Sequence, residues 1–231
     1  MTIDMLDPTT KDLIIDPACG SGGFIIECLR HLWSKVEEEG IKYKWPDNEI
    51  EKQKVAIDKI RDIDKDYFLG KVCKAYMAIL GDGRGGIFCE NSLDVPSNWS
   101  TKTREKIQLG SFSMVVTNPP FGKKINVEGE KLLSQYDIGF KWKKNKKEGT
   151  WEKGKLKDKE APQYLFIERC IHLLKPGGKM GIVLPDGIFG NDQLGYIRNI
   201  ISDNCQIVAV VDVPKETFMP HTSTKNKYFI C

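Results

Sequence analysis

Short apolar runs alternate along this chain with longer segments whose apolar positions recur at helical spacing. The runs predict seven strands, at residues 13–15, 60–64, 87–89, 112–116, 180–184, 207–213 and 228–231. Helical spacing predicts helices at residues 24–38, 67–80, 162–174 and 192–203. The first six residues fit the end of one more helix, which Asp7-Pro8 stops.

Strands that alternate with helices are typical of an α/β fold with a doubly wound, mostly parallel sheet. The last two strands are separated by a loop and not by a helix, which predicts an antiparallel hairpin at one edge. The 231 residues and their single alternating pattern indicate one Rossmann-like domain, residues 1–231, around a seven-stranded sheet.

Two polar stretches interrupt this pattern. Residues 39–59 are predicted to be an insertion with some helix. Residues 123–160 contain twelve lysines and seven acidic residues without a clean period, which predicts a long loop or basic insertion. The sequence does not decide between a charged, disordered loop and a rim that contacts DNA phosphates. The candidate contact residues are Lys141, Trp142, Lys143, Lys144, Lys146 and Lys147.

Composition excludes several classes of protein. The net charge is only +3, so the overall charge says little about a polyanionic partner. The seven cysteines are odd in number and show no C-x-x-C spacing, so we expect reduced thiols and no metal site. The sequence shows neither a signal peptide nor an apolar run of the roughly 20 residues that span a bilayer. We therefore expect a cytoplasmic protein with no membrane partner.

A glycine-rich turn follows the first predicted strand, in the motif DPACGSGGF at residues 16–24. Glycines let a backbone approach a ligand closely, and Asp16 at the strand end can accept hydrogen bonds from a cationic amino-acid group. The motif is not a P-loop, which disfavours a phosphate-gripping site. Asp62-Ile63-Asp64 ends the second predicted strand, where an acid commonly binds ribose hydroxyls.

The tetrapeptide Asn118-Pro119-Pro120-Phe121 directly follows the fourth predicted strand. Its prolines stiffen the turn, and the carbonyls of Asn118 and Pro119 can accept hydrogen bonds from an exocyclic amine in the plane of a base. Phe121 offers a ring on which that base can stack. Two in-plane acceptors favour a more tetrahedral nitrogen, whose lone pair can attack a sulfonium methyl group.

The glycine-rich turn and the tetrapeptide, about a hundred residues apart, resemble the amino-group DNA methyltransferases. With the stretch LLKPGGKMGIVLPDGIFG at residues 173–190, the chain resembles the modification subunit of type I restriction-modification systems. The resemblance runs from about Asp7 to the C-terminus and weakens at 39–59 and 123–160. It implies a class I methyltransferase domain, a catalytic-domain fragment of a longer protein.

The same resemblance implies S-adenosylmethionine as cofactor and adenine N6 in double-stranded DNA as substrate. A specificity subunit and a restriction subunit are the further partners that it implies. The residues that match the cofactor site are Asp16, Ala18, Gly20 and Gly22 for the methionine part, Asp62 for the ribose, and Asn91 near the adenine. The residues that match the catalytic tetrapeptide are Asn118, Pro119, Pro120 and Phe121, and Phe218 matches an aromatic residue that packs against the flipped base.

Several alternatives remain open from the sequence. The tetrapeptide also suits methylation of cytosine N4 or of a protein glutamine. A catalytically silent DNA-binding or assembly subunit with the same fold is another possibility. A nicotinamide-dependent oxidoreductase is disfavoured, because the turn lacks G-x-G-x-x-G at the expected place.

Overall fold

The computed structural model describes residues 2–80, 84–122, 125–145, 147–214 and 226–231. The strands in these ranges are β1 (Ile14–Asp16), β2 (Ile60–Asp64), β3 (Ile87–Cys89), β4 (Phe112–Thr117), β5 (Val127–Glu128), β6 (Phe140–Lys144), β7 (Trp151–Leu156), β8 (Lys159–Glu160), β9 (Leu174–Pro185), β10 (Ala209–Val213) and β11 (Asn226–Ile230). Each of the seven strands predicted from the sequence is found within a few residues of its expected place.

The seven predicted strands form one sheet in the order β10-β11-β9-β4-β1-β2-β3. Strands β3, β2, β1, β4 and β9 pair in parallel, whereas β11 pairs antiparallel with both β9 and β10. This confirms the mostly parallel sheet and the antiparallel edge hairpin. The pairing of β9 with β4 shifts in register, because Phe112 faces Leu174 whereas Met114 faces Lys179, so the extra residues 175–178 are accommodated inside β9.

The helices are α1 (Thr2–Leu6), α2 (Gly23–Tyr43), α3 (Asn48–Lys59), α4 (Tyr67–Ile79), α5 (Thr101–Lys106), α6 (Glu130–Leu133), α7 (Pro162–Leu173), α8 (Gly187–Gly190) and α9 (Gly195–Asn204). The segment 39–59 was predicted to be an insertion with some helix, and it consists largely of the end of α2 and all of α3. Trp33 on α2 donates to the Lys52 carbonyl at 3.1 Å, and Val55 and Ala56 are buried. This segment is therefore part of the main helical layer.

Both faces of the sheet are covered, because successive side chains of a strand point to opposite faces. On one face Ile14, Met114 and Val116 pack with α1, α2, α3 and α4. On the other face Ile15 and Val115 pack with α7 and α9. The burial of every residue of β1 and β4 follows from this two-sided packing.

The segment 123–160 was predicted to be a long loop or basic insertion, and its described residues are largely built of short elements. Strands β5 and β8 pair at its base, and β6 and β7 form an antiparallel hairpin. The insertion contributes Leu133, Tyr136 and Ile138, each with no exposed surface, to the core on the α7 side. The sequence concealed this order because these elements are too short to show a period.

Among the described residues, no helix is both long and apolar enough to cross a membrane.

Candidate active site

A cleft opens at the carboxyl ends of β1, β2 and β4. The chain runs outward from β1 to β2 and β3, and then returns to place β4 on the other side of β1. Ligands of open α/β sheets bind at such a switch point. Two adjoining cavities of about 330 Å³ and 420 Å³ occupy the place, and Ala18, Gly20 and Asn118 line both.

The glycine-rich turn forms the floor of this cleft. Gly20 and Gly22 have φ angles of 53° and 93°, which disfavour any residue with a side chain. A Cβ atom at Gly22 would lie 2.8 Å from the Cys73 sulfur, so the turn also needs glycine for close packing. Gly22 is the N-cap of α2 and supplies no side chain there, so the first N–H groups of the helix are left for a ligand.

Asp16 stands where β1 meets the turn and lines the larger cavity. Its Oδ1 accepts a hydrogen bond from the Ala18 N–H at 2.9 Å, and the side chain is 1% exposed. Burial raises the pKa of Asp16 to about 7, against hydrogen bonds that lower it. A cationic group placed beside this carboxyl would favour the ionised form.

Asp62, the residue that matched the ribose acid, does not line either cavity. It has no exposed surface and lies opposite Asp16 in the sheet register, two residues before the end of β2. The turn passes above it, because the Cys19 N–H donates to the Ile63 carbonyl at 3.1 Å. Asp62 therefore does not line the cleft in this structure, and its contact with the ribose stays a prediction.

Asp64 occupies the position in the cleft that was expected for Asp62. It lines the smaller cavity, and its carboxylate accepts from the Gly20 N–H and the Asp66 N–H, each at 2.8 Å. It thereby joins the turn after β1 to the start of α4. The sequence offered a signal for Asp64, since it is the last residue of the strand, where side chains clear the sheet edge.

Asn91 also lines the smaller cavity, in the loop after β3. Its Oδ1 accepts from the Leu93 N–H at 3.2 Å, and its backbone carbonyl accepts from Trp99 Nε1 at 2.9 Å. The side-chain acceptor is therefore used to shape the loop. Ser92 and Leu93 beside it are buried and line the same cavity, which sequence reasoning missed.

The tetrapeptide leaves the end of β4 at the junction of the two cavities. Asn118 is exposed and lines both, Pro119 is buried, and Pro120 lines the smaller one. Phe121 is half-buried and lines neither cavity. Phe218, the expected second aromatic residue, lies outside the described residues.

Further residues line the two cavities. Phe24, which ends the glycine-rich motif, and Glu27 line the larger cavity from α2. Val127 of β5 lines the smaller cavity together with Pro162 and Phe166 of α7. Apart from Phe24, these residues belong to no motif, so only their position identifies them.

One carboxyl group and two thiols cluster at the base of the turn. One ligand-type atom each of Cys19, Asp62 and Cys73 lies within 4.8 Å of the others, and all three residues are buried. The Cys73 sulfur is 3.7 Å from Asp62 Oδ2. Burial and the neighbouring Cys73 and Asp16 raise the pKa of Asp62 well above its usual range. All seven cysteines are free, and Cys19, Cys28, Cys73 and Cys170 are buried.

Known proteins resemble this chain over almost its whole length. The N-6 DNA methylase family matches residues 1–230. The methylase subunit of the type I restriction enzyme EcoEI from Escherichia coli is 26% identical over 96% of this chain and 38% of its own length. This chain therefore spans well under half the length of that relative.

Solved structures show the same fold. The M protein of the type I restriction enzyme EcoKI superposes with a TM-score of 0.68 at 18% identity, over 99% of this chain and 41% of that chain. A Listeria monocytogenes protein assigned to the class I S-adenosylmethionine-dependent methyltransferases gives a TM-score of 0.56 at 15% identity, over 99% of this chain and 55% of its own. Since the family match covers nearly the whole chain, this protein belongs to the N-6 DNA methylase family.

Proposed function

We propose that this domain transfers a methyl group from S-adenosylmethionine to the N6 amine of adenine in double-stranded DNA. The observation that carries the proposal is the position of Asn118, which lies where the cavity beside the glycine-rich turn meets the cavity beside Asp64. The cavity beside Asp64 suits the cofactor's nucleoside, and the junction of the two cavities suits methyl transfer. The family membership supports the same chemistry.

The residues present fit the cofactor. Gly20 and Gly22 form a turn that leaves room for a ligand, and Asp16 and Asp64 place two carboxyls beside it. A cofactor with a cationic amino group and a ribose matches these acceptors. Asp16, Ala18, Gly20 and Gly22 would hold the methionine part, and Asp64 the ribose. When bound, the cofactor supplies a methyl group on positively charged sulfur.

The loop after β3 would hold the adenine of the cofactor. Leu93 provides an apolar wall, and Phe166 from α7 lies in the wall of the same cavity. Asn91 remains at the cavity with its Oδ1 already bonded to the Leu93 N–H. We therefore assign the Oδ1 of Asn91 to shaping this loop. Its Nδ2 group would be the side-chain donor that faces the nucleoside.

The target base must leave the helix stack to reach Asn118, because its amine is inaccessible inside a duplex. The side-chain carbonyl of Asn118 and the backbone carbonyl of Pro119 would accept hydrogen bonds from that amine. These acceptors orient the nitrogen and favour a localised lone pair, so catalysis is chiefly positioning and electrostatics. Phe121, and Phe218 from the part of the chain not described, are the proposed stacking partners of the base.

The partners follow from the relatives, which include methylase subunits of type I restriction enzymes. We propose that this domain works on DNA within a larger assembly, together with a specificity subunit and a restriction subunit.

Asn118→Ala in the full-length enzyme tests the proposal. We expect methyl transfer to fall by at least about 1,000-fold, because an acceptor at the reacting nitrogen is lost. Cofactor affinity should stay within about threefold, since Asn118 is not among the residues assigned to hold it. The measurement is transfer of labelled methyl groups into DNA, with calorimetry for the cofactor.

Identification of the methylated product, nucleoside or protein side chain, separates the proposal from its rivals. N6-methyladenine supports it. N4-methylcytosine, a methylated protein glutamine, or no transfer by the complete wild-type assembly would each refute it. Asn199→Ala, an exposed change on α9, is the matched control and should leave turnover unaltered.

A further inference from the structure

The β6–β7 hairpin has two chemically different faces. Trp142 of β6 stacks on Tyr196 of α9, with ring centroids 5.8 Å apart and planes at 12°. Trp151 of β7 meets the same ring edge-on, also at 5.8 Å. Neighbouring residues of a strand point to opposite faces, so Lys141 and Lys143 face away from this aromatic cluster.

The aromatic face anchors the hairpin to the body of the domain. Trp142 Nε1 donates to the Asp137 carbonyl at 2.9 Å, and Lys157 Nζ donates to the Tyr196 hydroxyl at 3.0 Å. Trp151 packs so closely on Gly195 that a Cβ atom there would lie 2.8 Å from its ring. Trp142 is thus committed to packing and does not present its ring to a base.

The outer face carries an excess of positive charge. Residues 140–156 include seven lysines and two glutamates, a local charge more positive than the net +3 of the complete chain. The register shifts between Phe140 and Trp142, so Lys155, the neighbour of Leu156, also points to the outer face. Lys141, Lys143 and Lys155 are exposed, and no ion pair of theirs is found within the described residues. Lys153 is different, because it pairs with Asp137 and lies over the Phe140 ring.

The two glutamates of the hairpin are held by its turn. Asn145 Nδ2 donates to Glu152 at 3.2 Å and to Glu148 at 3.4 Å. Their carboxylates are therefore drawn toward the turn. Glu152 lies opposite Lys143 in the hairpin register, but no ion pair joins the two within the described residues.

The hairpin stands at the same edge of the sheet as the cleft. It packs on the first residues of α9, which follow the carboxyl end of β9, next to β4 and its tetrapeptide. The pairing of β5 with β8 connects its base to Val127 in the cavity wall. A duplex whose base enters this cleft must pass its backbone near this edge.

We propose that the outer face of this hairpin, with Lys141, Lys143 and Lys155, binds the phosphate backbone of duplex DNA beside the cleft. Lys141 and Lys143 are two residues apart, so their side chains leave the strand about 6–7 Å from one another, a spacing that suits successive charges along a DNA strand. Such contacts supply affinity and orientation without reading sequence. This inference rests on the proposed function, because it takes DNA as the substrate.

The test compares two triple variants of the full-length enzyme in its complete assembly. K141Q/K143Q/K155Q removes the outer face of the hairpin. K11Q/K106Q/K175Q removes the same charge from exposed lysines at the opposite, amino edge of the sheet. The probe is a duplex of about 30 base pairs, titrated at several salt concentrations.

We expect the hairpin variant to bind DNA at least tenfold more weakly near 0.1 M salt, and its slope of log affinity against log salt to fall by about 2 to 3. The control should lose less than threefold. Equal affinities and slopes for the two variants would overturn the inference. Impaired subunit assembly of the hairpin variant with unchanged DNA affinity would overturn it too, and would assign the face to a protein partner.

Cofactor binding and methyl transfer by the wild-type enzyme, measured on the same preparations, separate this inference from the proposed function. Active wild-type enzyme with unchanged DNA binding by the hairpin variant would refute the inference alone. Inactive wild-type enzyme with weakened DNA binding by the hairpin variant would refute the proposed function alone.

Discussion

Two aspartates on one short strand have opposite environments. Asp64 lies at the rim of the cleft, and its oxygens accept from the turn after β1 and from the start of α4. Asp62 lies below, sealed by the turn and by Cys73, with its Oδ1 buried and unpaired among the described residues. Of these two carboxylates only that of Asp64 lines a cavity, so Asp64 has the proposed role of binding the ribose.

Exchanging each acid for its amide tests this division. Asp64→Asn should weaken cofactor binding by at least about tenfold, because an amide loses acceptors that hold both the turn and the ribose. Asp62→Asn should change affinity by less than about threefold, because the group does not reach the cleft. Calorimetric titration of the cofactor into both variants checks the pair. A larger loss for Asp62→Asn would restore it as the ribose acid.

Three elements meet at one buried arginine. Arg169 of α7 has no exposed surface, and its Nη2 donates to the Asp94 carbonyl at 2.9 Å. Its Nε donates at 2.8 Å to the hydroxyl of Tyr136, which in turn donates at 2.7 Å to the Leu93 carbonyl. The insertion, α7 and the loop after β3 are thus joined by one network, and that loop forms part of the cofactor cavity.

Removing this arginine should affect both stability and the site. Arg169→Met should lower the free energy of unfolding by about 2–4 kcal/mol, because buried carbonyls lose their donors. We also expect at least fivefold weaker cofactor binding at a temperature where the variant is folded. Denaturant unfolding and calorimetry measure the two effects.

Arg198→Met is the matched control, because Arg198 Nη1 also bonds two carbonyls, those of Ile188 and Asn191, away from the loop after β3. It should lose stability and keep cofactor affinity. Equal affinity losses in the two variants would contradict a role for Arg169 in positioning the loop.

At the scale of the whole molecule, the carboxyl ends of the central strands form the cleft. The same strands also place two carboxyl groups in the interior. Asp16 and Asp62 are opposite one another in neighbouring strands, and burial raises the pKa of both. A raised pKa means that the folded state holds protons that the unfolded chain releases near pH 4. The free energy of unfolding therefore falls as pH rises above about 4. For Asp16 this fall continues through about pH 7, the raised pKa of its carboxyl in the folded state.

The pH dependence of unfolding tests this consequence. The wild-type free energy of unfolding should decrease between pH 5 and pH 8. Asp62→Asn removes one of the two groups, so its decrease should be smaller than that of the wild type. Denaturant titrations at both pH values give the difference. The same decrease in variant and wild type would show that Asp62 holds no more protons in the folded state than in the unfolded chain, so that its pKa is not raised.

The fold was predictable because its signals are local. Apolar runs and helical spacing placed the seven strands, and a loop in place of a helix indicated the antiparallel edge. The two cleft motifs also sit where strands end, which the order of elements already implies. Short-range patterns are enough to predict these strands and helices, because each one needs its own apolar face.

Other features depended on residues distant in the chain, and only the tertiary structure decided them. The sequence marks Asp64 as the last residue of its strand, but it could not show that the turn after β1 covers Asp62. It could not show that Trp142 packs on Tyr196, or that the basic insertion is an anchored hairpin, because these contacts join α9 to residues roughly fifty positions earlier. The sequence by itself thus determined the elements, their order and the cleft motifs. The tertiary structure decided which side chains face the cleft, because burial and facing are set by packing between elements and not by local pattern.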